Sequence, residues 1–516
     1  MKCLFIVLLS LIILLGCGAS ACTAIYVGSE VSTDGSILIA RSNDHQSNWA
    51  NHLEVAERVE NQPGRVMPVD NAGTVFASIP ETTYHYVSTP WMDSTRAING
   101  IQKDAAVCVN EYGVSMTMAV TAFANVVALE ADPLVPNGLT ECTANDLVIC
   151  QSQSAREAVE NLLVLIDEYG SSETNIALIS DREETWYVEM YTGHQYAAVK
   201  LPKNVVCVFG NEFTLRCIED YADSIVSPGL VAIPEKDGFA VYDDAGRLDL
   251  VDTYSGEGIR LSYSHMRTWI GHKLFAPSSY GDFELHADYP LTFAPEEKVS
   301  LKDIMDAIRN RYEGTEFDPD ATGRTDMRVI GTDTAMSVHI LQIHPELPVD
   351  RNSTIWVSVA PALYGVFVPV NNVCSGVSEA YGANQPSAEA GQFDTDYPWF
   401  VMKALNTLCM QDIPVYGVPV RDFWQQAEMD MIDGMQKVLS DGSDTEIEEY
   451  CCRVQQQAFE DGRILLNQVN WTMSSNANTM KNGRNPETGE ILDTLRQLPP
   501  MEVEPACDAY KYEAGK

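Results

Sequence analysis

The residue with the clearest chemical potential is Cys22, which follows Ala19-Ser20-Ala21, a small-residue site of the kind a secretory signal peptidase cuts. A cut after Ala21 would make Cys22 the first residue of the mature chain. A cysteine is a strong nucleophile only as its thiolate and needs a base within reach. A first residue brings that base with it, because an α-amino group titrates at roughly 7.7–8.0, far below a lysine. The amine can take the thiol proton and later return it to a leaving amine. The chemistry available at this point of the chain is therefore covalent acyl transfer without a histidine.

The elements that follow would build the rest of such a site. Thr23–Val31 and Ser36–Arg41 read as two strands around Thr33-Asp34-Gly35, an Asp-Gly hairpin signal. With the turn centred near Thr33–Asp34, paired positions sum to about 67, which sets Cys22 opposite the Asp44 region with Arg41 close by. Arg41 would favour the thiolate, and Asp44 would orient Arg41 or the α-amine. The competing reading is a first residue that enters a disulfide.

Targeting and composition bound the rest. Met1–Gly18 is a short basic start followed by the apolar run Leu4–Leu15, too short for a membrane span, so residues 1–21 read as a signal peptide and the mature chain as secreted or lumenal. Leu14-Leu15-Gly16-Cys17 is the rival, a lipoprotein-type site with Cys17 lipidated and Cys22 left inside the chain. The net charge of −40, from 33 basic and 73 acidic residues, argues against nucleic acid as a partner and for a self-repelling, solvated surface. Of 13 cysteines, Cys3 and Cys17 leave with the signal. Setting Cys22 aside leaves an even number, which fits up to five disulfides in an oxidising compartment. Asn352-Ser353-Thr354 and Asn470-Trp471-Thr472 are glycosylation sequons. His339 and His344 lack the helical zinc spacing, Asp318-Pro319-Asp320 with Asp326 lacks the EF-hand pattern, and no paired Cys-x-x-Cys occurs, so neither a metal nor a cofactor is expected.

Along the chain, residues 46–104 read as loops and short strands near the site, and Glu111-Tyr112-Gly113 as a second hairpin turn. Helices are expected over Glu141–Gln151 and Ala155–Tyr169, the latter with Ala158, Leu162, Leu165 and Ile166 on one face and Gly170 as its stop. Four strands should follow, Asn175–Ser180, Thr185–Met190, Gln195–Lys200 and Val205–Phe209, giving a layered protein of helices and sheets. Leu301–Tyr312 reads as a helix and Ser337–Ile343 as a half-buried strand. Gly376–Asp396 reads as a loop or linker, Tyr397–Leu408, Val420–Leu439 and Thr445–Asn467 as helices packed on the main domain, and 473–516 as a polar, loosely held tail.

The run CTAIYVG–STDGSILIARSNDH resembles the opening of the dipeptidase A-type cysteine dipeptidases, N-terminal-nucleophile hydrolases related to penicillin V acylases, bile salt hydrolases and secernins. Asn110-Glu111-Tyr112-Gly113-Val114, Ala155–Gly170, Trp186–Val199 and Met327–Val370 extend the resemblance over most of residues 22–470. It implies an α+β fold, the four-layer αββα sandwich, with additional C-terminal helices, and a main domain over 22–375. It implies dipeptide substrates with free amino ends, cleaved through a thioester on Cys22, and leaves open a homo-oligomer. It also implies that Asn211, at a strand end, supplies an oxyanion-hole amide, and that Arg267 contacts a substrate carboxylate. The second oxyanion donor has no evident counterpart, since Thr121 stands near its place. Two alternatives stay open: a same-fold amidohydrolase acting on a non-peptide amide, and a secernin-like interaction protein.

Overall fold

The computed structural model describes residues 22–44, 50–91, 105–120, 122–256, 262–324, 326–383, 393–482, 488, 498–506 and 508–513. The signal segment with Cys17, and also Thr121 and Cys507, lie outside these described residues.

Fourteen of the described strands form two antiparallel sheets. In chain order they are β1 (Thr23–Val27), β2 (Ile37–Asp44), β3 (Glu54–Ala56), β4 (Tyr86–Ser88), β5 (Val107–Asn110), β6 (Ser115–Val120), β7 (Asn175–Ser180), β8 (Thr185–Met190), β9 (Tyr196–Lys200), β10 (Val206–Phe209), β11 (Ser224–Val226), β12 (Ala335–Ile343), β13 (Ser353–Ser358) and β14 (Val368–Asn371). The six-stranded sheet runs β10-β1-β2-β12-β13-β14, and the eight-stranded sheet runs β11-β9-β8-β7-β6-β5-β4-β3. Seven of the described helices surround the sheets: α1 (Glu141–Ile149), α2 (Ala155–Tyr169), α3 (Ser262–Phe275), α4 (Leu301–Ala307), α5 (Pro398–Cys409), α6 (Val418–Asp441) and α7 (Asp444–Asn482). Helices α1 and α2 pack on the eight-stranded sheet, while α3, α4, α6 and α7 pack on the six-stranded one. The sheets face each other between them: Arg41 of β2 reaches the Ala106 carbonyl beside β5, and Thr117 Oγ1 of β6 meets His339 Nε2 of β12 at 2.9 Å. The chain is thus a mixed α+β protein with sheets at its centre and helices outside them.

Local sequence accounts for the parts that position the site. Helix α2 keeps the predicted bounds; Ser154 caps it by accepting from Glu157 N, Gly170 at φ 71° ends it, and Ala158, Leu162, Leu165 and Ile166 are buried. Strand β1 stops at Val27, four residues short of the expected end. Gly28 and Glu30 leave the hairpin to bond the carbonyls of Val205 and Lys203, and a Cβ at Gly28 would strike the Lys203 backbone. The connection is therefore wider than a tight turn, and Thr23 pairs with Ser42 and Ala24 with Arg41. Cys22 consequently runs out opposite Asn43 rather than Asp44. The fourth of the consecutive strands, β10, leaves its neighbours and joins β1 in the other sheet, with Ala24 opposite Phe209. Continuing that register puts Asn211 beside Cys22. The Asn110–Val114 turn is held by Asn110, whose Oδ1 accepts from Tyr112 N and Val114 N and whose Nδ2 donates to Ile149 and Ser152 carbonyls, which ties it to the end of α1.

Three other expectations change. The ten described cysteines outside the signal segment, Cys22 included, are all free thiols, so the expected disulfide framework is absent among them. Cys108, Cys150, Cys207, Cys374, Cys409 and Cys451 sit buried in the core, as small apolar residues do. Sequon residue Asn352 is fully buried, whereas Asn470 is exposed. The tail beyond 473 is less loose than its composition suggested. Helix α7 continues to Asn482, and the segment beyond returns to it: Tyr510 is buried, accepts from Tyr450 Oη at 2.7 Å and donates to Asp461 at 2.8 Å. No helix of the described residues is long and apolar enough to cross a membrane.

Candidate active site

Cys22 is buried just before β1, the strand between β10 and β2 in the six-stranded sheet, and three chain segments converge on it. From β2, Arg41 donates through Nη2 to Cys22 Sγ at 3.1 Å, to Asn43 Oδ1 at 3.0 Å and to Glu141 Oε1. From the end of β10, Asn211 Oδ1 accepts from the Cys22 main-chain nitrogen at 3.1 Å. From α3, Arg267 donates through Nη1 to the Cys22 carbonyl at 2.5 Å and to Thr23 Oγ1 at 2.9 Å, and through Nη2 to Asn211 Oδ1 at 2.7 Å. Close packing makes these contacts available. Gly271 lets α3 settle on Val208 of β10, and Gly210 lets the Arg267 guanidinium pass within van der Waals reach of the strand end.

The thiol, nitrogen and carbonyl of one residue are thus each held by a separate partner. Burial pushes the Cys22 thiol above its ordinary value, the Arg41 charge pulls it back down, and the carboxylates of Glu141 and Asp44 push it up again. Asp44 points the other way from Arg41, as alternation along β2 requires, and its Oδ2 accepts from Arg328 Nη2 at 3.4 Å. Burial raises Asp44 to about 6 against the pull of Arg328, Arg267 and Arg41. His339, directly across from Arg41 on β12, is fully buried and held far below its ordinary value by burial and by the Arg41 charge, so it stands there as a neutral imidazole.

Among the residues singled out from sequence, Cys22, Arg41, Asn211 and Arg267 therefore meet at one point. Asp44 lies on the far face of β2, felt electrostatically by Cys22 and paired with Arg328. Arg267 is fully buried and engaged with oxygens of Cys22, Thr23 and Asn211, so its guanidinium braces the main chain at Cys22. Sequence reading missed Asn43, Glu141 and Arg328. Asn43 lies in the quoted opening run and was legible by its alternation with Arg41. Glu141 and Arg328 carry no local signal, because each reaches the site only through tertiary packing.

The model of the Peptidase C69 family matches residues 21–426, most of the chain. The chain is also similar to a probable dipeptidase B of Streptococcus pyogenes serotype M1, 26% identical over 440 residues that cover 82% of this chain and 85% of that protein. A probable dipeptidase of Salmonella dublin is 30% identical over 364 residues, 69% of this chain and 82% of its own. One of Latilactobacillus sakei is 28% identical over 371 residues, 70% and 76% respectively. Coverage on this scale, running from the residue before Cys22 through both sheets and into α6, makes the protein a member of peptidase family C69.

Proposed function

We propose that the protein is a secreted dipeptidase that hydrolyses the amide bond of dipeptides through a thioester on Cys22, after removal of residues 1–21. The observation that carries this reading is the 3.1 Å contact between Arg41 Nη2 and Cys22 Sγ, at a residue whose nitrogen and carbonyl are separately held by Asn211 and Arg267. Membership of the family and the probable dipeptidases among its relatives support the substrate class. The order helix, sheet, sheet, helix supports the αββα sandwich of N-terminal-nucleophile hydrolases.

In this reading the nitrogen that donates to Asn211 is the free α-amine of the processed chain. Neutral, it takes the thiol proton; Arg41 favours the thiolate that results. The thiolate attacks the substrate carbonyl, and the ammonium returns its proton to the leaving amine. Water then attacks the thioester, and the amine again serves as base. Asn211 and Arg267 fix the orientation of the amine, and an Asn211 amide hydrogen directed at the developing oxyanion would lower the barrier by about 3 kcal/mol. Arg267 is thereby reassigned from substrate carboxylate to positioning of the nucleophile.

The test is the first residue of the mature protein, by intact mass and Edman degradation, combined with Cys22→Ala. A chain that begins at Cys22, cleaves dipeptides, and loses turnover in Cys22→Ala without loss of folding fits the proposal. A mature chain that begins upstream of Cys22, or wild-type-like turnover in the variant, overturns it.

A further inference from the structure

Glu141 stands one side chain away from the nucleophile and has no part in the mechanism above. It opens α1, in the eight-stranded half of the protein, yet its carboxylate is buried and bonds the same guanidinium nitrogen, Arg41 Nη2, that holds Cys22 Sγ. Glu141 Oε1 therefore lies within about 6 Å of the sulfur. Among the described partners of Arg41, the others are the thiol, the Asn43 amide and the Ala106 carbonyl, so Glu141 is the carboxylate on this side of the thiol.

The geometry of a thioester says what that carboxylate would face. In an aminoacyl thioester the α-nitrogen is two bonds beyond the carbonyl carbon, about 3–4 Å from the sulfur. The remaining gap to Glu141 is one hydrogen bond, about 2.7–2.9 Å for an ammonium on a carboxylate. Resting on the dipeptidase reading, we propose that Glu141 binds the free α-ammonium of the residue that becomes the acyl group, and so selects substrates with an unblocked amino end over N-acylated ones.

The surroundings suit this role. The Glu141 main-chain nitrogen donates to Glu173 Oε1 at 2.6 Å, which fixes the first turn of α1. Burial and the charge of Glu141 raise Glu173 to about 7, as expected of two neighbouring buried carboxylates. A substrate ammonium would give the Glu141 carboxylate a second cation beside Arg41, whereas an acetamide brings none and leaves Glu141 facing a bulkier neutral group.

The experiment compares dialanine with N-acetyl-dialanine as substrates for the mature wild-type enzyme and for Glu141→Gln, an isosteric change that removes the charge. The expected result is a loss of about 10- to 100-fold in kcat/KM for dialanine, chiefly through KM, with little change for the acetylated substrate, so that the preference collapses. An equal loss on both substrates would mean that Glu141 acts only through Arg41 and would overturn the proposal. Binding of alaninamide to Cys22→Ala and to Cys22→Ala/Glu141→Gln, by calorimetry, reads the same contact without turnover; equal affinities also overturn it. A wild-type enzyme that cleaves neither substrate overturns the dipeptidase reading itself, and this proposal with it.

Discussion

Replacing Arg41 by alanine should change the acidity of the Cys22 thiol by a calculable amount. The guanidinium and the sulfur are 3.1 Å apart and both are buried. At an effective dielectric near 20, two unit charges at that distance interact by about 5 kcal/mol. Desolvation takes back part of this, and hydrogen bonds to charged groups contribute about 1.5–3 kcal/mol net, or about 1–2 pH units on the thiol. Burial already raises the thiol and Arg41 is the largest opposing influence, so its loss moves the thiol further up. Arg41→Ala alone would overshoot, because it also exposes the thiol to an uncompensated Glu141. The double variant Arg41→Ala/Glu141→Gln removes that repulsion and should return the smaller figure. The assay is the pH dependence of Cys22 alkylation by iodoacetamide, followed by mass spectrometry of the N-terminal peptide alongside dipeptide turnover. Arg41→Lys, which keeps a charge but not the fork shared by sulfur, Asn43 and Glu141, should fall between wild type and Arg41→Ala. An alkylation midpoint in Arg41→Ala within a few tenths of wild type would refute the claim that Arg41 sets the state of the thiol.

Asp44→Asn separates stability from rate. A carboxyl raised to about 6 from an ordinary 3.8 contributes stability that is present at low pH and lost as pH rises through 6, about 3 kcal/mol across the window. Urea denaturation at pH 4 and pH 7 should therefore show a smaller loss with rising pH in Asp44→Asn than in wild type, while turnover stays within a few-fold, since Asp44 faces Arg328 and not Arg41; a fall of about 10-fold or more would return Asp44 to the mechanism. Glu428→Ala tests whether the C-terminal helices belong to the catalytic body. Glu428 of α6 is fully buried, accepts from Arg309 at 2.9 and 2.5 Å, and also accepts from the Phe367 main-chain nitrogen at 3.0 Å. Its removal strands the Arg309 charge and should cost about 3–5 kcal/mol in urea denaturation, whereas a cost below 1 kcal/mol would make α6 an appendage.

What could be read from sequence and what could not divide along the range of the interactions. Helix α2 and strands β7, β8 and β9 were legible because their apolar period, caps and turns act within a few residues, and their partners merely accept what the local chain has already chosen. The hairpin that carries Cys22 and Arg41 was legible in kind but wrong in register by two, since the register depends on where Gly28 and Glu30 find acceptors, and those belong to residues 203–205. The same applies to Asn211: its strand was evident, but only the crossing of β10 into the other sheet sets it next to Cys22. The cysteine count misled because parity carries no geometry, and most of the buried thiols serve as packing. Glu141 is the extreme case. Its own segment reads as the start of an ordinary helix, with no local sign of a link to the nucleophile. It becomes part of the site only because the first turn of α1 and the hairpin of the six-stranded sheet are pressed together until a carboxylate from the first meets a guanidinium from the second. The local reason for an acid there is slight, since a carboxylate in the first turn of α1 gains only about 0.3–1 kcal/mol from the helix N-terminus. The carboxylate is therefore accounted for by what it faces, a guanidinium already engaged with a thiol and, in the proposed acyl-enzyme, the ammonium of the substrate.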